Sequence, residues 1–543
     1  MTEPAPSATP PPSRDGSGSY ALIVATGILA SRVFGLIRQR FLSHYLGLSD
    51  AADAFNAAFR IPNMLQNLFG EGVLSASFIP VYARLLAQGD RKEAARVAGA
   101  VAALLALVTS VLVLLGMLAT PWLIDSIAAG FEGGKRELTI RLVRILFPGM
   151  GLLVLSAWCL GVLNSHRRFL LSYAAPVLWN VAIIASLVAF GGKRSDFELA
   201  ELAAWGSVVG SALQFLVQLP VVLRLLGGVH LSLRDLSLNV RLVVRNFVPV
   251  FIGRGVVQIS ASVDLLLASL LPSGAVTGLA NAQTLYTLPV SLFGMAVSAA
   301  ELPAMSEALG AENEVASYLR HRLSRGLRRI AFFVIPSAMA FFVLGDVIAA
   351  ALFQTGRFTR ADATYVWAIL AGSAVGLLAS TLGRLYSSTF YALRDTRTPL
   401  RFALVRVALG TGLGYLVALK GPALLGIDAR WGAAGLTAAG GVAAWVELML
   451  LRRALASRIG TTALGSSHAL RLWGAAATGA AVGFLLKIQI GPRHPLLVAA
   501  AVLGAYGLIY MGCAALLGVQ EWREIVAGVP GFRNRQPRGR PGS

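Results

Sequence analysis

From about Tyr20 onward, long apolar runs alternate with short loops in which arginine is common. A helix needs roughly 20 apolar residues to cross a bilayer. By that measure the pattern predicts about fourteen helices, over 20–46, 54–87, 94–119, 137–164, 171–190, 199–226, 238–271, 275–306, 327–353, 361–392, 398–419, 431–455, 469–490 and 494–518. Several runs exceed the requirement, so tilt or kinks are expected. The fold class this implies is an all-α integral membrane protein.

The first two runs depart from a plain apolar pattern. Ser31 to Pro80 reads SRVFGLIRQRFLSHYLG, then the acidic turn LSDAAD, then AFNAAFRIPNMLQNLFGEGVLSASFIP, and it carries Arg32, Arg38, Arg60 and Glu71. A charge at the centre of a membrane helix costs roughly 2.5–3.5 kcal/mol on the insertion scale, so such residues face a polar interior and work there. Asp53, Asn56, Arg60, Asn63, Asn67 and Glu71 follow at steps of three or four, which places them on one helical face opposite Ala, Phe, Ile, Leu and Val. Pro62 inside this run predicts a kink or a broken turn. In the preceding helix Gly27, Ser31 and Gly35 repeat every four residues, a small-residue face that lets another helix come close. An ion-pair lattice that only holds helices together would tend to balance its charges. Here arginines outnumber nearby carboxylates, which points to an anionic ligand.

Composition narrows the class. The 543 residues are 56% hydrophobic and only 13% charged, with mean hydropathy +0.69, whereas a soluble protein carries about 25% charge. No stretch is left for a sizeable soluble domain, which argues against an integral-membrane glycosyltransferase. The net charge of +21 does not indicate nucleic acid, because the basic residues sit in short loops in the positive-inside manner. Loops holding Arg91, Lys92 and Arg96, Arg167 and Arg168, Arg224 to Arg245, Arg320 to Arg329, Arg394 to Arg401 and Arg452 to Arg458 alternate with basic-poor loops. That puts both termini in the cytoplasm. Residues 1–19 are Pro/Ser/Thr-rich and expected to be disordered, and 521–543 form a basic Pro/Gly-rich tail suited to an anionic leaflet. Cys159 and Cys513 lie in apolar runs and make no disulfide framework or metal site. There is no phosphate loop and no His/Cys/carboxylate cluster with metal spacing.

Two internal similarities suggest duplication. IPNMLQNLFGEGVLSASFIP in the second run resembles LPVSLFGMAVSAAELP in the eighth, and GLLVLSAWCLGVLNSHRRF in the fourth resembles GLLASTLGRLYSSTFYALRD in the tenth. Both pairs lie in the same frame. Two six-helix lobes in repeat are a transporter pattern, with the site between the repeats.

SRVFGLIRQ, DAFNAAFRIPNMLQNLFGEGVLSASFIP, LFQTGRFTRAD and FYALRDTRTP resemble the MurJ (MviN-type) lipid II flippase family, of the multidrug and oligosaccharidyl-lipid exporter superfamily. The resemblance implies an N-lobe over 20–227, a C-lobe over 228–460 in pseudo-twofold arrangement with it, and two further spans within 461–520 forming a groove for a polyprenyl tail. It also implies a central cationic cavity and alternating access that carries lipid-linked peptidoglycan precursor from the inner to the outer leaflet, for cell wall biogenesis. The chain would then be a transporter rather than an enzyme, most simply a monomer in the bacterial cytoplasmic membrane, with lipid II and membrane lipids as its partners. The implied substrate-binding residues are Ser31, Arg32, Arg38, Arg60 and Asn63, and the implied gating or charge-pairing residues are Asp53, Glu71 and Arg254. The chain departs from some members at Gln39, where they have an acidic residue, and at Gln66 and near Thr284, where they have arginines; Arg60 and Arg254 are the candidates to compensate. Asp264 resembles a position that binds Na⁺ in some members, but the eleventh run offers Arg401 and Arg406 instead of a partner carboxylate. Asp264 therefore binds a cation, pairs with an arginine such as Arg254, or is protonated. No cofactor is expected, and energy would come from Na⁺ or H⁺ coupling or from the membrane potential.

The physical reading agrees, since lipid II carries a pyrophosphate, and guanidinium groups bind phosphate bidentately and are weakly hydrated. The rival readings are a flippase for another lipid-linked oligosaccharide and a cation-coupled multidrug exporter. The latter would be expected to line its path with carboxylates.

Overall fold

The computed structural model describes residues 17–228, 237–307, 311–462, 464–491 and 493–522, without the side chains of 17–25, 28, 253, 256, 257, 259–261 and 312. The first sixteen residues of the expected disordered arm, the loop containing Arg234 and the tail from residue 523 lie outside the described residues.

Every regular element described is helical. In chain order they are α1 (Ser17–Leu46), α2 (Asp50–Phe69), α3 (Glu71–Ser77), α4 (Ile79–Ala87), α5 (Arg91–Leu118), α6 (Thr120–Ile127), α7 (Gly133–Ser165), α8 (Phe169–Phe190), α9 (Asp196–Leu226) and α10 (Leu238–Ser269). There follow α11 (Ala275–Pro289), α12 (Ala296–Ser306), α13 (Glu312–Val343), α14 (Gly345–Phe353), α15 (Arg360–Ala392), α16 (Arg397–Tyr415), α17 (Gly421–Leu425), α18 (Gly432–Ile459), α19 (Ser466–Ile490) and α20 (Pro495–Leu516). Eleven helices among the described residues are long and apolar enough to cross a membrane. The three expected spans outside that set are α1, the segment divided into α2, α3 and α4, and α10. They hold Arg32, Arg38, Arg60, Glu71, Arg254 and Asp264. The chain is a multi-pass helical membrane protein.

Helix ends follow local chemistry. Ser195 and Glu198 form a reciprocal capping box at the start of α9, Thr359 and Asp362 form another at α15, and the Asp90 side chain caps α5. Each satisfies N–H groups that a first turn leaves unpaired. Gly227, at φ 67°, closes α9 in the left-handed conformation that glycine adopts at no steric cost.

The chain divides into two compact units: residues 1–41, 57–124 and 136–259, and residues 42–56, 125–135 and 260–543. These boundaries cut through α1, α2, α6, α7 and α10.

The first unit holds a core of Phe69, Phe78, Tyr82, Val97, Trp158 and Leu163 from α2 to α7. The second packs α13 and α15 through Phe332, Ile335, Tyr365, Leu377 and Phe390. Within it α19 and α20 are tied to α13 and α14. Pro336 has no N–H to offer the Phe332 carbonyl one turn back, and the Tyr510 hydroxyl donates to that carbonyl at 2.6 Å, while Tyr506 donates to the Pro336 carbonyl at 2.6 Å. Lys487 of α19 pairs with Asp346 of α14 at 2.6 Å.

The internal similarity extends to backbone detail. Arg167 and Arg394, at equivalent places after α7 and α15, are the non-glycine residues of positive φ among those described, both at 59°. In each turn this residue's N–H bonds to the carbonyl three before, and the next N–H to the carbonyl five before: Arg167 to Asn164, Arg168 to Leu163, Arg394 to Tyr391, Asp395 to Phe390. The shared LFG motif interrupts both helices that contain it. In the first copy α2 stops at Phe69 and α3 begins at Glu71; in the second, residues 290–295 widen into a π-helical turn between α11 and α12. Such interruptions are features of transporter helices that line a path.

Candidate functional site

The polar stripe of the second run reaches different neighbours along its length. Five of its six residues lie on α2, and Glu71 opens α3. Pro62 sits inside α2, and the helix continues through it; the interruption falls at Gly70 instead. A Cβ at residue 70 would collide with the Gln66 carbonyl oxygen, so this backbone path admits only glycine.

At the start of α2, in the second unit, Asp53 is 1% exposed and its carboxylate is saturated with donors. Oδ1 accepts from the Thr277 N–H at 2.8 Å and the Thr277 hydroxyl at 2.7 Å; Oδ2 accepts from the Gly274 N–H and the Lys135 ammonium, both at 2.8 Å. Gly274 is the N-cap position of α11, so an anion sits on a helix N-terminus, where free N–H groups and the helix dipole favour it. Lys135 also pairs with Asp50 at 2.9 Å, and Asp50 accepts from the Ser273 hydroxyl at 2.7 Å. Asn56, one turn on, donates to Thr277 Oγ1 at 3.3 Å. Lys135 and Thr277 were not singled out in the sequence: they stand in the first turns of α7 and α11, at the edges of the basic-poor stretches Asp125–Lys135 and LLPSGAVTG, where no periodicity marks them.

The other end of the stripe belongs to the first unit. Glu71 is exposed, beside Arg254 of α10 and Tyr173 of α8, both near enough to interact with its charge. The Arg254 guanidinium occupies the space a side chain at Gly72 would fill. Asn67 donates to Gln258 of α10 at 3.4 Å. The structure thus brings together Glu71 and Arg254, two of the three residues expected to gate or pair, and gives the third, Asp53, to Lys135.

On α1, Arg32 is exposed and Ser31 half-buried. Of the small-residue face, Gly27 meets the Tyr173 side chain of α8 closely, while Gly35 faces open space. Arg38 is half-buried, with its guanidinium carbon 4.9 Å from the ring centre of Trp179 and 5.4 Å from that of Phe59. Arg60 is exposed and Asn63 half-buried on α2. Gln66 and Thr284 stand half-buried at the two positions lacking arginine, and the Thr284 hydroxyl bonds back to the Ala280 carbonyl.

Asp264 is exposed on α10. Among the described residues no three His, Cys, Asp or Glu side chains converge as a metal ion would require. In α16, Arg406 pairs with Glu447 of α18 at 3.1 Å, so part of that helix's charge is neutralised within the second unit.

The chain's likeness to known proteins runs along almost its whole length. The family model described as lipid II flippase MurJ matches residues 42–491. The lipid II flippase MurJ of Burkholderia cenocepacia is 33% identical over 446 residues, covering 81% of this chain and 84% of that protein. A Bdellovibrio bacteriovorus protein named probable lipid II flippase MurJ is 33% identical over 438 residues, covering 79% and 80%. Among solved structures, one described as lipid II flippase MurJ in an inward closed conformation superposes with a TM-score of 0.75 at 21% identity, covering 93% of this chain and 100% of that one. An inward-facing multidrug resistance MATE transporter of the MOP superfamily gives 0.63 at 18% identity, covering 80% and 98%. At these identities the structural matches speak to fold, and the sequence matches speak to family: the chain belongs to the MurJ lipid II flippase family.

Proposed function

We propose that this chain is a lipid II flippase of the bacterial cytoplasmic membrane. It would carry undecaprenyl-pyrophosphate-linked peptidoglycan precursor from the inner to the outer leaflet by alternating access, as a transporter and not as an enzyme, with both termini in the cytoplasm. Relatives named as lipid II flippases at about one-third identity over most of both chains support this reading. The observation that carries it is the kind of charge kept inside apolar helices: Arg32 and Arg38 on α1 and Arg60 on α2 suit a pyrophosphate. A drug exporter for cationic substrates would need the opposite sign, and the MATE likeness at 18% identity speaks to fold alone.

In this reading Ser31, Arg32, Arg38, Arg60 and Asn63 receive the head group. Asp53, with its four bonds, is a latch that joins the first turns of α2 and α11. Glu71 and Arg254 form a second charge contact that changes with conformation. Asp264 is the candidate for a coupling cation, Na⁺ or H⁺; replacement by asparagine would abolish a Na⁺ dependence carried by this residue, and an unchanged Na⁺ dependence would remove it from that role. The protein works as a monomer without a cofactor.

The direct test is complementation of a bacterium depleted of its essential lipid II flippase. Growth should be restored. Failure despite normal membrane expression would favour a different lipid-linked oligosaccharide as substrate.

A further inference from the structure

Arg38 is held in an unusual way for a residue meant to bind an anion. Its Nε is enclosed and finds no hydrogen-bond partner among the described residues. What surrounds the guanidinium is aromatic. The ring centres of Trp179 and Phe59 lie 5.5 Å apart and inclined at 33°, and the guanidinium carbon lies 4.9 and 5.4 Å from them. The three groups form a nearly equilateral triangle, with the cation in the notch between two rings. Attraction between the cation and the ring faces replaces hydrogen bonds and leaves the guanidinium edge uncommitted.

The notch is itself fixed. Trp179 of α8 donates from Nε1 to the Ser207 hydroxyl of α9 at 3.1 Å, which sets the rotation of the indole. A Cβ on Gly210 would come within 2.8 Å of the Trp179 carbonyl and 2.9 Å of its Cα, so the bare glycine lets α9 press against the backbone of Trp179. Phe59 is carried by α2 next to Arg60. All these residues belong to the first unit. A tryptophan within an apolar run gives no sign in the sequence of such a role.

We propose that Trp179 and Phe59, with Ser207 behind Trp179, are positioning residues that clamp the guanidinium of Arg38 by its faces and present its N–H edge to the pyrophosphate of the lipid substrate. This deepens the proposed function and rests on it. A planar fork binds phosphate bidentately only if its plane is held at a useful angle. A long flexible side chain otherwise gives up rotamer entropy on binding; here it is given up on folding. The clamp needs a planar cation, so it distinguishes arginine from lysine at position 38 beyond their shared charge.

The test is a double-mutant cycle read by the affinity of purified full-length protein for lipid II, with uncharged undecaprenol as the control ligand. Trp179→Leu should weaken lipid II binding roughly tenfold, within the range that cation–π contacts reach in desolvated sites. Trp179→Phe, which keeps a ring face, should restore most of it. In an Arg38→Ala background Trp179→Leu should have no further effect, and undecaprenol binding should not change in any variant. If Trp179→Leu does not fold, Ser207→Ala takes its place in the same cycle, since it frees the indole without touching the ring. An equal loss in both Arg38 backgrounds, or a parallel loss of undecaprenol binding, would show a merely structural tryptophan and overturn the proposal. So would full affinity in Trp179→Leu while Arg38→Ala binds weakly. Should Arg38→Ala itself bind lipid II normally, the pyrophosphate reading falls, and the clamp with it.

Discussion

At Asp53 both carboxylate oxygens accept, Oδ1 from the Thr277 N–H and hydroxyl, Oδ2 from the Gly274 N–H and the Lys135 ammonium. An asparagine there would have to point its NH₂ at one of these donor pairs, whichever way it is turned. Each buried donor left unsatisfied in this way costs about 1–3 kcal/mol, while Lys135 keeps Asp50 as its partner. Asp53→Asn should therefore lower the thermal unfolding midpoint in detergent markedly. Lys135→Met should lower it less, because Asp53 keeps three donors. Equal midpoints for wild type and Asp53→Asn would show that the latch contributes nothing to this state. Glu71 differs: it is exposed, and its charge is shared with Arg254 and not sealed in. Glu71→Gln should slow transport and leave lipid II affinity intact; a matching loss of affinity would make it a substrate ligand instead. Of these groups the carboxylates were legible in the sequence, because a charge in an apolar run stands out and the three-to-four spacing gives it a face. Lys135, Thr277 and Trp179 were not, since a lysine or a threonine at a helix start and a membrane tryptophan are each ordinary until the fold sets them beside Asp53 or Arg38.

Helix interruptions show what local sequence says and what it hides. Pro62 looked like the break in the second run, but losing one N–H does not stop α2. Gly70 does, through an excluded Cβ that only the backbone path reveals. Its counterpart Gly294 lies in the π-helical turn, and a Cβ there would strike the Thr381 methyl group of α15. Gly294→Ala should therefore impair transport and destabilise the fold by roughly 1–3 kcal/mol, as overpacking does, which is read as a lower unfolding midpoint. Combining it with Thr381→Ser, which removes that methyl, should recover most of the loss. No recovery in the double variant would mean that Gly294 is needed for its backbone freedom and not for the close approach. The LFG repeat was visible in the sequence; the matching turns at Arg167 and Arg394 emerge only from the backbone. That one copy would break and the other widen could not be read from residues so alike.

For the molecule as a whole, the hydropathy pattern gave the helical class and, within a few residues, most of the spans. It read the segment now divided into α2, α3 and α4 as one run because hydropathy does not register the single-residue interruptions at Gly70 and Phe78. The alternation of basic and basic-poor loops predicts that both termini lie in the cytoplasm. With Cys159 and Cys513 replaced, a cysteine at Ser49 should react with an impermeant thiol reagent from outside, and one at Ser466 only after permeabilisation; the reverse pattern would invert the topology. The central claim, that arginines inside the membrane grip an anionic lipid and move it across, is tested most directly by the amount of lipid II reaching the outer leaflet of cells whose only flippase is this chain. Wild type should restore it, lysine at Arg32 and Arg38 should restore part, and alanine at both should leave it near the depleted level, since each charge-assisted bond is worth roughly 1.5–3 kcal/mol. Wild-type levels of outer-leaflet lipid II from the double alanine variant would contradict the account.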